Sequence, residues 1–428
     1  MCFREAFVLL LARKGVRRTT RLSSRTEHAA LCACNPERSS QSRAKRSLHP
    51  LRMVEMTRAI LKNINQNIMK TTLRIIAGAA VILAAVACEK TLDEPIIEME
   101  QETRVVTKAG DNNWITQLPD NAYASQLSIP GTHDAATGDG TVFSLGKTQS
   151  LTLQEQWNMG IRAFDLRPGY KRVRKGLFKY ENELHIYHGI VETKISFKKA
   201  VQVLSDNLAA NPGEFAIIIM RFENDSPLYN KRDVWNSLMS SFLTSSDFPA
   251  ERRIDFRPDL TVGELRGKIL VLSRDAYAAE PSTGAFVSGW SHSESGTTSA
   301  TISGKNASAR LQLQDYYSVE NKEAKIASIK NYVDLAASAE PGVWTINHTS
   351  GYTGTIGSDL SIKQNAENNN VALYDYFAAS SRPSGSTGII LLDHAGLHSS
   401  GIFDIYGDLL PQAIIENNFA FPLSLKGE

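Results

Sequence analysis

The chain has 428 residues, 42% of them hydrophobic and 21% charged. That is ordinary globular composition, and it excludes a disordered tail, a collagen-like fibre and a disulfide-stapled miniprotein. The net charge of +2 hides a segregation. Residues 1–68 hold 14 Lys+Arg against 4 Asp+Glu, whereas from Glu89 onward 31 Lys+Arg face 41 Asp+Glu. The acidic part is a poor match for nucleic acid, and no nucleic-acid partner is expected.

All four cysteines, Cys2, Cys32, Cys34 and Cys88, lie in the first 88 residues. Disulfides, zinc–thiolate sites and a cysteine nucleophile are thereby removed from the rest. Residues 69–88 read MKTTLRIIAGAAVILAAVAC. Lys70 and Arg74 precede an apolar run from Ile75 to Ala87 that is short for a spanning helix, and small residues lead to Cys88. This is the layout of a secretory signal. The terminal cysteine makes it similar to a bacterial lipoprotein signal, with Cys88 lipidated as the new N-terminus. A soluble secreted protein with an incidental cysteine is the alternative. The expected organisation is therefore a basic extension over 1–68 outside the mature protein, a signal over 69–87, a charged tether over 88–110 and a single domain over 111–428. The expected location is the bacterial cell envelope, lipid-anchored.

Short apolar runs then recur. Gln126–Ile129, Ile161–Leu166, Leu184–Tyr187, Phe215–Met220, Lys268–Leu272, Val343–Ile346 and Gly388–Leu392 read as strands. FAIIIM and GIILL are continuous rather than alternating, as in parallel sheets covered by helices. Helices are predicted over Leu151–Met159, Phe197–Leu208, Lys231–Leu243 and Ser318–Ala337, the second stopped by Asn211-Pro212-Gly213. Alternation of this kind predicts an α/β fold, a single distorted (β/α)8 barrel of the TIM type. A doubly wound open sheet is the structural alternative, but no Gly-rich phosphate loop opens the first helix.

Polar residues cluster where these strands end. His133 and Asp134 follow the first, Asp165 and Arg167 close the second, and His185 and His188 flank the end of the third. Arg221 and Glu223, Arg274, and then Asp393 and His394 follow the later ones. A barrel brings such ends to one mouth. Two histidines can serve there as base and acid, since their pKa lies near neutrality. An arginine between them can hold a phosphoryl oxygen bidentately, and Asp134 and Asp393 can orient imidazoles. This is a kit for attack at phosphorus without a metal. Each piece alone is weak: a lone histidine at a strand end is more often structural, which is the reading for His185.

SIPGTHD at 128–134, GIRAFDLRP at 160–168 and IYHG at 186–189 resemble bacterial phosphatidylinositol-specific phospholipase C. So do WITQLP at 114–119, TVGELRGKILVL at 261–272, Gln314-Asp315-Tyr316-Tyr317 and IILLD at 389–393, in the same order. The resemblance implies a distorted (β/α)8 barrel that cleaves phosphatidylinositol in a membrane to diacylglycerol and inositol 1,2-cyclic phosphate. It implies His133 as base oriented by Asp393, His188 as acid assisted by Asp134, and Arg167 on the phosphate. Arg274, Asp315, Tyr317 and Arg221 would hold the inositol ring. Calcium-using relatives place carboxylates where this chain has Arg167, so no metal and no cofactor are expected. A monomer is expected, and action on glycosylphosphatidylinositol anchors stays open. Because the domain is acidic, membrane contact is expected through the lipid anchor and an apolar rim carrying Phe286, Trp290, Tyr352 and Ile356, with packing inside the domain as the alternative, equally weighted for Trp290. Two other functions remain in view: a different barrel phosphodiesterase, glycerophosphodiesterase-like, which needs a carboxylate metal cluster, and a non-catalytic lipid- or glycan-binding surface lipoprotein.

Overall fold

The computed structural model describes residues 113–141, 146–223, 232–354 and 358–427. The basic extension, the signal, Cys88 and the tether lie outside the described residues.

The first barrel strand, β1 (Ser128–Thr132), is followed by helix α1 (Leu153–Asn158) and β2 (Ala163–Leu166). Three strands then leave the barrel as a separate antiparallel sheet: β3 (Pro168–Arg174), β4 (Tyr180–His188) and β5 (Val191–Ser196). Helix α2 (Phe197–Ala210) returns the chain to β6 (Ala216–Met220). Next come α3 (Arg232–Thr244), the one-turn α4 (Val262–Leu265), β7 (Ile269–Ser273), β8 (Ala285–Ser288), β9 (Thr297–Ser303) and β10 (Ser308–Gln314). Helix α5 (Lys322–Ala337), β11 (Trp344–His348), α6 (Asp359–Phe377), β12 (Gly388–Leu392), the short pair β13 (Ser399–Ser400) and β14 (Phe403–Asp404), and α7 (Leu409–Asn417) complete the order.

The barrel closes in the order β1-β12-β11-β10-β9-β8-β7-β6-β2. The fold class is α/β, as expected, with two corrections to the (β/α)8 expectation. Among the described residues the barrel has nine strands: eight run parallel, and β9 is inserted antiparallel between β8 and β10. The third expected strand, Leu184–Tyr187, lies in β4 and is outside the barrel, paired with β3 and β5. Its sequence carries the reason. β4 is polar and exposed in its outer part (Glu181, Asn182, Glu183) and alternates Glu183 and His185 with Leu184 and Ile186 towards its end, the pattern of a strand with one wet face, whereas β6 (AIIIM) and β12 (GIILL) are buried throughout.

Two apolar cores follow from strand alternation. Ile217, Ile219, Leu270, Leu272, Ile346 and Leu391 fill the barrel interior. Their neighbours Ile218, Met220, Val271, Ile390 and Leu392 face the helices, meeting Leu204, Trp235 and Ile414. Gly131 is required where β1 squeezes between β12 and β2: a Cβ there would lie 2.6 Å from Leu391 and 2.8 Å from Ala163. Helix α1 begins in a capping box between Thr152 and Glu155, the signal legible in the sequence.

Candidate active site

The strands that end at the mouth deliver the expected residues to one cluster. The chain after β1 turns sharply, and Asp134 sits in the left-handed region at φ 45°, ψ 48°, a conformation that aspartate tolerates better than most residues. The Oδ2 of Asp134 lies 3.3 Å from His133 Nε2 and 3.4 Å from His188 Nε2. One carboxylate oxygen therefore meets both imidazoles. His133 turns its Nδ1 to Asp393 Oδ1 at 2.8 Å. His188 Nδ1 meets the Gly146 carbonyl at 2.6 Å. Glycine is needed at 146, because a Cβ would lie 2.7 Å from that same nitrogen.

Arg167 anchors the cluster. It is buried, with Nε 2.7 Å from Asp134 Oδ1, Nη2 2.9 Å from Asp165 Oδ2 and Nη1 3.3 Å from Glu223 Oε1. Burial opposes the guanidinium charge, but these three carboxylates raise its pKa well above the ordinary arginine value. Burial likewise lowers the pKa of His133, yet Asp134 and Asp393 overcome it and bring the imidazole up to about 9. Burial lifts the pKa of Asp393, against the pull of His133. His133, Asp134 and Asp165 present donor atoms within 4.8 Å of one another, a spacing suited to a metal ion. Both carboxylates already hold the Arg167 guanidinium, so an incoming cation would compete with a fixed positive charge.

A second group adjoins it. The Arg274 guanidinium stacks on the Trp290 ring, its central carbon 3.7 Å from the centroid. Asp315 Oδ2 accepts from Trp290 Nε1 at 2.7 Å, lies 3.0 Å from His292 Nδ1 and 3.9 Å from Arg274 Nη2. Burial disfavours the charge on Asp315, but His348, His292 and Arg274 keep its carboxyl well below the usual range. Tyr317 is packed against His292 and Tyr352 at ring-centroid distances of 4.7 and 5.9 Å. Arg221 lies beside Glu223, Nε to Oε1 3.6 Å, and its charge acts on Arg274. His185 is at the edge, facing Glu192 and Glu183 within the β3–β5 sheet.

Four members escaped the sequence reading. Glu223 stands at a strand exit, where the sequence alone assigns it no role. His348 is buried 5.8 Å ring-to-ring from His133, and burial lowers its pKa to about 3 against the opposing charge of Asp315. It ends β11 just as His133 follows β1, and the expected strand stopped two residues short of it. His292 carried no sequence signal. Lys325 is buried on α5 and donates to Gln314 Oε1 at 3.0 Å and to the His348 carbonyl at 2.7 Å, which braces the Gln314–Asp315 segment. Of the two readings for the rim residues, Trp290 and Phe286 follow the packed one. Trp290 hydrogen-bonds inside the cluster, and Phe286 packs edge-on against Tyr277 at 5.0 Å. Tyr352 is half-buried, and Ile356 lies outside the described residues.

No protein-family model matches the chain. It is 30% identical over 170 residues to the 1-phosphatidylinositol phosphodiesterase of Listeria monocytogenes, a match over 38% of this chain and 48% of that protein, so it spans about half the length of that relative. It is 24% identical over 318 residues to the Staphylococcus aureus (strain Newman) 1-phosphatidylinositol phosphodiesterase, covering 70% of this chain and 93% of the relative. A solved S. aureus phosphatidylinositol-specific phospholipase C superposes with a TM-score of 0.57 at 22% identity, over 72% of this chain and 97% of the other. The L. monocytogenes structure gives 0.52 at 22%, over 71% and 97%. The chain is thus similar in sequence to bacterial 1-phosphatidylinositol phosphodiesterases and shares the fold of bacterial phosphatidylinositol-specific phospholipases C.

Proposed function

We propose that the protein is a phosphatidylinositol-specific phospholipase C that cleaves its substrate without a metal. The observation that carries this reading is the convergence of both imidazole Nε2 atoms on Asp134, with the Arg167 guanidinium on the same carboxylate. His133 takes the proton from the inositol 2-hydroxyl while Asp393 holds its Nδ1. The freed oxygen bonds to phosphorus and the bond from phosphorus to the glycerol oxygen breaks. His188 gives that oxygen its proton, releasing diacylglycerol and inositol 1,2-cyclic phosphate. Water then opens the ring with the two histidines exchanging roles. Arg167 stabilises the charge that develops on the phosphoryl oxygens.

The second group holds the inositol ring. Asp315, Arg274 and Arg221 supply acceptors and donors for its hydroxyls, and Tyr317 offers a face for stacking. His348 adds a buried Nε2 with no hydrogen-bond partner among the described residues, a ready contact for a ring hydroxyl. A glycerophosphodiesterase-like reading needs carboxylates free to hold a metal, whereas Asp134, Asp165 and Glu223 all face Arg167. Diacylglycerol release from phosphatidylinositol in excess chelator tests the proposal. Turnover should persist with chelator and fall by about 10²–10⁴ in His133→Ala and in His188→Ala. Wild-type rates in either variant, or loss of activity with the metal, would reject it. We further propose that Cys88 is lipidated and tethers the barrel to the cell envelope.

A further inference from the structure

Among the described residues, six of the seven exposed large apolar side chains lie in segments that follow barrel strands, and the seventh, Phe419, follows α7. Leu177, Phe178, Tyr180 and Ile190 lie in the excursion that leaves the C-terminal end of β2, Leu360 lies after β11, and Ile402 lies after β12. All six therefore belong to segments that emerge at the mouth. Leu177 and Phe178, at 73% and 90% exposure, form the turn of the β3–β4 hairpin.

This hairpin is rooted in the site itself, since Arg167 precedes β3 and His188 ends β4. Its ladder runs unbroken from Pro168 opposite Ile186 to Arg174 opposite Tyr180. At about 3.3 Å per residue the turn stands roughly 25 Å from His188. The root packs on α3, where Trp235 Nε1 donates to the Pro168 carbonyl at 2.9 Å. The outer half is largely exposed. The turn is nevertheless braced: Lys175 N donates to the Lys179 carbonyl at 2.8 Å, and the Arg174 guanidinium donates to the carbonyls of Gly176 and Leu177, each at 2.9 Å. Leu177 and Phe178 are thus held outward on an ordered support.

Charge supplies the second observation. Residues 170–180, YKRVRKGLFKY, hold five cations and no acid. They do so in an acidic domain. Three of the five are paired: Lys171 with the partly buried Glu192, and Lys175 with Glu183 and Lys179 with Glu181 in exposed, weak pairs. A bilayer with anionic headgroups matches both features: Leu and Phe enter the acyl boundary while Lys and Arg stems snorkel to the phosphates. We propose that the β3–β4 hairpin is a docking prong for an anionic lipid surface and brings the barrel mouth against the bilayer. The proposal deepens the reading of the barrel as an enzyme of membrane phosphatidylinositol and rests on it for the substrate.

The test uses vesicles without inositol lipid, so that docking and catalysis are read separately. Both apolar cores lie between Trp114 and Ile415, so the chain from residue 89 onward keeps them whole and avoids any acyl anchor. Its partition is measured on phosphatidylcholine vesicles with and without phosphatidylglycerol. The parent should prefer the anionic vesicles. Leu177→Ser with Phe178→Ser should weaken partition by about tenfold or more. Arg172→Gln, Lys175→Gln and Lys179→Gln should each weaken it about fivefold, less at high salt. Melting temperature and turnover of soluble inositol cyclic phosphate should stay at parental values in all of them. Unchanged partition in the Leu177/Phe178 variant, no preference for anionic vesicles, or no vesicle binding by the parent would overturn the proposal. Tip-dependent docking by a protein that turns over no cyclic phosphate would uphold the prong and reject the enzymatic reading.

Discussion

Arg167→Asp probes the centre of the site. The guanidinium it removes faces three carboxylates, Asp134 at 2.7 Å, Asp165 at 2.9 Å and Glu223 at 3.3 Å, with Asp134 and Asp165 almost completely buried. Deleting the shared cation of a buried ion-pair network costs about 3–5 kcal/mol, because the partners are left charged and dry. A fourth carboxylate at the same place adds repulsion, so the melting temperature should fall markedly. Phosphoryl charge stabilisation is lost as well, and the rate should drop by about 10²–10³ on the scale of a removed oxyanion donor. The same change assembles hard oxygen donors around a vacated cation position. Calcium, which takes six to eight oxygens at about 2.3–2.6 Å, suits them. Adding calcium should therefore raise the melting temperature of the variant and partly restore diacylglycerol release, while leaving the parent unaffected. The assay is thermal unfolding and turnover, each with calcium and with chelator. Parental activity in the variant would place Arg167 away from the phosphate. A variant that calcium neither stabilises nor reactivates would show that the carboxylates do not converge as described.

Asp393→Asn should move the acid limb of kcat/KM to lower pH. The base must be deprotonated to act, and Asp393 helps raise the His133 pKa to about 9, so removing that charge lets the imidazole lose its proton earlier. An unmoved limb would separate His133 from the titration. Trp290→Phe removes the hydrogen bond to Asp315 and weakens the platform under Arg274; KM should rise about tenfold, equally on vesicles and on soluble cyclic phosphate. A loss confined to vesicles would put Trp290 at the membrane instead. Cys88→Ser in the full chain should move the protein out of the membrane fraction of cells, and persistence there would show that acylation is not the main anchor.

Legibility in the sequence followed burial. Strands covered on both faces announced themselves as continuous apolar runs, so β6, β7 and β12 could be read directly. Strands β9 and β10, TTSATIS and SARLQLQ, do not read as barrel members, because Ser and Thr line much of β9 and the buried positions of β10 include the polar Gln312 and Gln314. Helix α6, rich in Asn, hid for a related reason: Asn365, Asn369 and Asn370 are buried and satisfied by Thr353, Thr349 and Asp393 rather than forming an apolar stripe. The site was legible wherever a charged residue directly followed a readable strand, as at His133, Arg167, Arg274 and Asp393. His188 was found although its strand was misplaced, because the hairpin folds its end back to Asp134. His292 and Lys325 belong to a loop and a helix whose approach to the mouth depends on tertiary packing, and no local pattern encodes that.

The account's central claim is attack by a substrate hydroxyl at phosphorus, driven by two histidines and an arginine. Phosphorus NMR of phosphatidylinositol dispersions in excess chelator follows that step directly. The account predicts that the cyclic phosphodiester signal appears first and the inositol monophosphate only later, with both absent in His133→Ala. Direct formation of the monophosphate, or a product signal only when a divalent metal is restored, would contradict it.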